Sequence, residues 1–217
     1  MAKKKTINKE TLQDYYMQYV LNNGKNPATP YHFCKENNLD EAVFYKHFGN
    51  IQALEQSIFE SFIDNTISVL SKTEEYQNFD SRTQLLSFYY TFFEVLTANR
   101  SFVTVVLEDY KDFKNIKALA GLRSKFTEFI ETLDIEMPNF KQEKIEHIQQ
   151  KTLKESAWLQ LLFTIKFWLN DTSANLEKTD LFIEKSVNAS FDLMNVQPVK
   201  SVMDFGKFLF KETFQMN

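Results

Sequence analysis

The chain has 217 residues, enough for two small domains or one large one, and 43% of them are hydrophobic, enough for a substantial core. A net charge of −4 excludes a protein that coats nucleic acid over its whole surface, and a single cysteine excludes an intramolecular disulfide framework and fits a reducing cytosol. Four Gly and four Pro beside 22 Phe favour long helices over sheets, so the expected fold class is all-α.

In chain order, Lys3, Lys4 and Lys5 are not followed by the apolar run of a signal peptide. They suit either a phosphate-touching arm or a solubilising terminus. Asn8 is placed to cap a first helix in which Leu12, Tyr15, Tyr16, Tyr19 and Val20 recur at helical spacing, closed near Gly24. Thr29 can cap a second helix with Pro30 at its first position, where the missing N–H costs nothing. Phe33 and Cys34 face inward, Asn37 and Asn38 suit a turn, and Leu39 plugs it. Asp40 caps a third helix whose Phe44 and Phe48 extend the buried face. Two short helices joined by a tight turn have the layout of a DNA-binding helix-turn-helix, although an ordinary helical hairpin gives the same pattern.

Gly49-Asn50 breaks the chain, and a helix is expected over 51–70 with Leu54, Ile58, Phe62 and Val69 inward. A polar connection over 73–79 precedes a capping box of Ser81 and Gln84, which opens a helix bearing Leu85, Phe88, Tyr89, Phe92, Phe93 and Leu96. Helices follow near 102–110 and 116–133, and Pro138 marks a break. A long helix covers 140–170. Its second half, from Leu153 to Leu169, is apolar around more than one face, as expected if it meets both a core and a partner subunit. Asp180 is expected to cap a helix through Met194, and Pro198 to open an amphipathic helix reaching Phe214 that packs on the bundle, lies on a membrane or covers a lipid pocket.

The helix, turn and helix pair, followed by Tyr45-Lys46-His47-Phe48, Asn50 and Leu54, resemble the N-terminal domain of the TetR family of bacterial transcriptional regulators. The register is gapless from Ala28 to Leu54. This resemblance implies an N-terminal three-helix DNA-binding domain over 1–50 and a larger helical bundle for ligand binding and dimerisation over 51–217. It also implies that Tyr45 and His47 contact phosphates, that Thr29 contacts the DNA backbone, and that Tyr31, Glu41, Ala42, Val43 and Lys46 complete the DNA-facing set. The implied partners are double-stranded operator DNA, a small hydrophobic ligand and a second copy of the chain. Charge agrees with the division: residues 1–50 carry seven Lys/Arg and five Asp/Glu, and residues 51–217 carry 18 and 24. Several positions depart from the family pattern: Asn38 stands for the usual turn glycine, Ile51 for a lysine, and Asp40, Glu41, Ala42 and Val43 for the usual small or basic residues early in the recognition helix. Glu41 either reads a cytosine amino group or repels DNA.

Phe88, Phe92, Phe126, Phe129, Trp158 and Phe163 are candidates to line an apolar ligand site between helices, against the plainer reading of core packing. No phosphate-binding loop, dinucleotide glycine pattern or Gly-x-Ser-x-Gly occurs, so no enzyme and no cofactor is expected. His32 with Glu36, and Glu143 with His147, sit one helical turn apart, but neither pair has further ligands at metal spacing, and surface ion pairs suffice. The longest strongly apolar uncharged stretch, 156–165, is far short of the ~20 residues that span a bilayer, so a cytoplasmic protein without stable membrane insertion is expected. The alternative function is a lipid- or hydrophobic-ligand-binding protein that keeps the TetR fold and has lost DNA binding.

Overall fold

A computed structural model describes the protein over residues 7–108, 116–135 and 143–195. Among these residues there are nine α-helices and no strand: α1 (Lys9–Asn23), α2 (Pro30–Glu36), α3 (Glu41–Tyr45), α4 (Ile51–Ser71), α5 (Ser81–Ala98), α6 (Arg100–Glu108), α7 (Ala120–Thr132), α8 (Glu143–Asn170) and α9 (Glu177–Asn195). The expected basic arm at Lys3–Lys5, the break at Pro138 and the helix from Pro198 to Phe214 lie outside the described residues.

Two compact units emerge. The first comprises Met1–Leu70 with Thr91–Phe126, and the second Ser71–Tyr90 with Thr127–Asn217. In the first, aromatic rings run in a chain of edge contacts from Phe44 to Phe33 (5.9 Å), Phe33 to Tyr16 (6.1 Å) and Tyr16 to Phe102 of α6 (6.2 Å). All four are fully buried. The helix-turn-helix therefore shares its core with α4 and α6, because a pair of helices this short cannot bury enough apolar surface alone.

α4 lies alongside the segment that becomes α7. Gln56 donates to the Lys117 carbonyl (2.7 Å), Glu60 packs on Gly121, and Asp64 pairs with Lys125 (2.7 Å). The three steps recur every four residues on both partners, one helical turn apart. Gly121 leaves room there for the Glu60 side chain, which a Cβ would push aside. Leu54, Ile58, Phe62, Thr66 and Leu70 form the inner stripe of α4. Val69, expected inward, is 47% exposed, because four-residue steps from Phe62 lead through Thr66 to Leu70 instead.

In the second unit α8 and α9 are joined by polar contacts from Gln160 to Ser186 and Ser190. Phe88 stacks on Phe129 with centroids 4.4 Å apart. Two expected caps are displaced. Asp80, not Ser81, caps α5 by accepting the Thr83 N–H (2.8 Å), and Gln84 turns its amide to the Tyr76 carbonyl. At α9 the capping carboxylate is Asp171 rather than Asp180. It accepts N–H and hydroxyl bonds from both Ser173 and Thr179, while Asp180 falls inside the first turn. Burial alone would raise the Asp171 pKa, but these four donors outweigh it and hold the carboxyl well below its ordinary range.

Candidate nucleic-acid interface

Local chemistry fixes the helix pair. The Asn8 carboxamide accepts the Thr11 N–H (2.9 Å) at the start of α1, and Gly24 ends α1 at φ 65°, a left-handed cap in which its N–H returns to the Val20 carbonyl. Thr29 Oγ1 accepts the His32 N–H at the start of α2, with Pro30 in the first turn. The turn places Asn38 at φ 52°, where glycine or asparagine is favoured. Leu39 then donates its N–H to the Cys34 carbonyl (2.8 Å). Asp40 Oδ1 accepts the Ala42 N–H (2.9 Å), which starts α3.

Below this surface Phe33, Cys34, Phe44 and Phe48 are buried. Burial first, and the nearby Glu41 and Asp40 second, push the Cys34 thiol above its ordinary pKa, the setting of a packing cysteine rather than a nucleophile. Above it lie the expected DNA-facing residues. Thr29, Ala42, Lys46 and His47 are exposed, Tyr31 and Tyr45 are each 54% exposed, and Glu41 and Val43 are half-buried. The fold thus leaves each of the two tyrosines, the lysine and the histidine that the sequence singled out accessible at the protein surface. Tyr31 sits at the start of α2 and Tyr45 at the end of α3.

Three side chains join this arrangement without having been expected. Lys35 places its ammonium 5.8 Å from the Tyr31 ring centroid, and Lys9 lies 6.0 Å from that of Phe48. The Tyr31–Lys35 pairing was available in the sequence as an i, i+4 spacing. The third is Glu55, only 4% exposed, which accepts from the Tyr16 hydroxyl (2.6 Å) and the Asn26 amide (2.8 Å). Its burial raises the carboxyl pKa, and those two hydrogen bonds offset only part of the rise. Nearby, Gln13 donates to both the carbonyl and the hydroxyl of Ser57 (2.9 Å each). Together they pin α1 and the chain leading to α2 onto α4. The signal in the sequence was an acidic residue between Leu54 and Ile58 on the inner face of a helix.

The candidate ligand residues divide. Phe88, Phe92, Phe126, Phe129 and Trp158 are buried. Phe163 is 60% exposed and points away from the interior, a correction that follows from Leu161, Leu162 and Ile165 occupying the inner stripe of α8. Phe167 lies on the same outer side and stacks on Phe182 of α9 at 4.6 Å. The second unit also carries an open groove of about 600 Å³ whose walls include Phe79, Arg82, Phe191 and Met194, with Arg82 paired to Asp192. Among the described residues no three His, Cys, Asp or Glu side chains gather as a metal site would require, and no helix is long and apolar enough to cross a membrane.

The family model described as "Tetracyclin repressor-like, C-terminal domain" matches residues 84–209, more than half of the chain. No curated protein matches the chain.

Proposed function

The chain belongs to the tetracycline repressor-like, or TetR, family of regulators, and on that premise we propose that it is a cytoplasmic, non-enzymatic transcriptional regulator that binds operator DNA as a dimer and responds to a small hydrophobic ligand. Residues 1–50 make the DNA contacts, and residues 51–217 dimerise and bind the ligand. The observation that carries the reading is the exposed set Tyr31, Tyr45, Lys46 and His47 over the buried Phe33–Phe44 pair. Tyrosine, lysine and histidine at these positions hydrogen-bond phosphate and so set the register of the helix in the major groove. Dimerisation is supported by the apolar outer surfaces of the late helices, with Phe163 and Phe167 on α8 and Leu181 and Leu193 on α9 all exposed. A twofold pair would present two recognition helices about one DNA turn, roughly 34 Å, apart. Ligand binding would alter that separation and weaken the complex. The buried aromatics Phe88, Phe92, Phe126, Phe129 and Trp158 favour an apolar ligand.

The acidic opening of α3 favours the second reading, a hydrophobic-ligand-binding protein without DNA function. Asp40 weighs less than the sequence suggests, because its carboxylate is engaged as a helix cap. Glu41 remains. The deciding experiment captures genomic fragments of the source organism on wild-type protein and on the Tyr45→Ala, His47→Ala double variant. Enrichment of a few sites by wild type alone supports the regulator. Enrichment by neither, together with co-purification of a hydrophobic small molecule seen by native mass spectrometry, supports the second reading.

A further inference from the structure

We propose that Glu41 is a specificity-determining residue that reads the exocyclic amino group of a cytosine in each operator half-site. The inference rests on the DNA-binding reading above and adds a base preference to it. Asp40 and Glu41 are adjacent carboxylates at the start of α3, yet their situations differ. Asp40 is satisfied within the protein by the Ala42 N–H at 2.9 Å. Glu41 makes no hydrogen bond or ion pair among the described residues. It is half-buried, lies one helical turn before the exposed Tyr45 and has the exposed Ala42 as its neighbour.

A recognition helix seated in the major groove carries these residues to the base edges. A carboxylate there accepts hydrogen bonds and donates none. Phosphates repel it, and so do the N7 and O6 acceptors of guanine and the O4 of thymine. Only the amino groups of cytosine and adenine can donate to it. The two are not equivalent. Adenine sets its N7 acceptor beside the N6 amino group, so a carboxylate meets repulsion there, whereas cytosine presents its N4 amino group without a neighbouring acceptor on the same base. The weakly basic segment 1–50, with seven Lys/Arg against five Asp/Glu, adds little sequence-independent attraction to mask an unfavourable Glu41 contact. The carboxylate therefore acts as a penalty on every sequence that fails to offer it a donor.

The test selects bound duplexes from a random-sequence pool and sequences them, for full-length wild type, Glu41→Gln and Glu41→Ala, each first shown to be folded by circular dichroism. The expected wild-type motif holds a cytosine at one position per half-site, and replacing it costs about tenfold or more in affinity. Glu41→Gln should move that position to adenine, whose N6/N7 edge suits an amide. Glu41→Ala should erase the preference there and leave the other positions as they were. A wild-type motif that all three proteins share unchanged would overturn the inference and leave the DNA-binding reading standing. No duplex bound by wild type under low-salt conditions would overturn both.

Discussion

The helix-turn-helix and the late helices both leave aromatic rings at the surface, but of different kinds. Around α2 and α3 the phenylalanines are inside, with Phe33 and Phe44 fully buried, and the exposed rings are Tyr31 and Tyr45. On α8 the exposed rings are Phe163 and Phe167, while both tryptophans are buried. A tyrosine presents a hydroxyl to whatever it meets and can serve a wet, polar partner such as a phosphate backbone. A phenylalanine at 60% exposure has no such tip and gains only when an apolar surface covers it. Under the proposed function, the contrast suits one surface to a charged polymer and the other to a second protein chain.

The largest effect should come from removing the support beneath the tyrosines. Phe33→Ala or Phe44→Ala leaves a cavity at the meeting of α1, α2 and α3 and should cost about 3–5 kcal/mol, seen as a large fall in the urea midpoint and a loss of any DNA binding. If either variant melts like wild type, the ring chain from Phe44 to Phe102 is not what holds these helices. Next, Phe163→Asp should leave the fold intact, because the side chain is already in water in a single chain, but should convert the dimer to a monomer in light scattering, since an unpaired buried charge costs several kcal/mol, roughly. A dimer that survives this change has its interface elsewhere.

On the other side of the comparison, Tyr45→Ala and His47→Ala should each weaken binding to all duplexes to a similar degree, on the order of tenfold, without altering which sequence is preferred. Glu41→Lys should raise affinity for unrelated DNA and steepen its dependence on salt by about one unit of slope, measured by fluorescence anisotropy at several salt concentrations.

The smallest effect concerns Glu55. Its native carboxyl titrates above the ordinary value of 4.5. Between that value and the raised one, the native state holds a proton that the unfolded state has lost. The contribution is therefore fully present below the unfolded value and fades as pH rises through the native one. Glu55→Gln should flatten this decline, read from urea midpoints at about pH 4 and about pH 7. Equal slopes in the two proteins would show that the Tyr16 and Asn26 hydrogen bonds hold Glu55 at its ordinary value.

The parts of this fold that were legible in the sequence are those governed by near neighbours. Asn8, Thr29 and Asp40 each bond an N–H two or three residues ahead, so their caps follow from spacing alone. The two displaced caps show where that logic stops. Ser81 with Gln84 satisfies the capping-box pattern, yet Asp80 precedes it and offers the stronger charged acceptor. Asp171 caps α9 from eight residues before Thr179, across a turn in which Asn175 and Leu176 take positive φ, and no short-range rule anticipates such a loop. Val69 and Phe163 were misplaced because both lie in stretches with apolar residues on several sides, where only packing chooses the inner stripe. At the candidate site, the proposed DNA-facing residues come from resemblance alone, and the Glu55 network was not legible in the sequence, because its partners Tyr16 and Asn26 are 39 and 29 residues away.

We propose that the surface of α2 and α3 meets double-stranded DNA in two symmetric copies. This is tested most directly by capturing and sequencing genomic fragments of the source organism bound to the wild-type protein. The expected result is a small set of enriched fragments sharing an inverted repeat, with half-site centres about one helical turn apart, and loss of that enrichment in the Tyr45→Ala, His47→Ala variant. Fragments captured without any shared repeat, or captured equally by the variant, would contradict it.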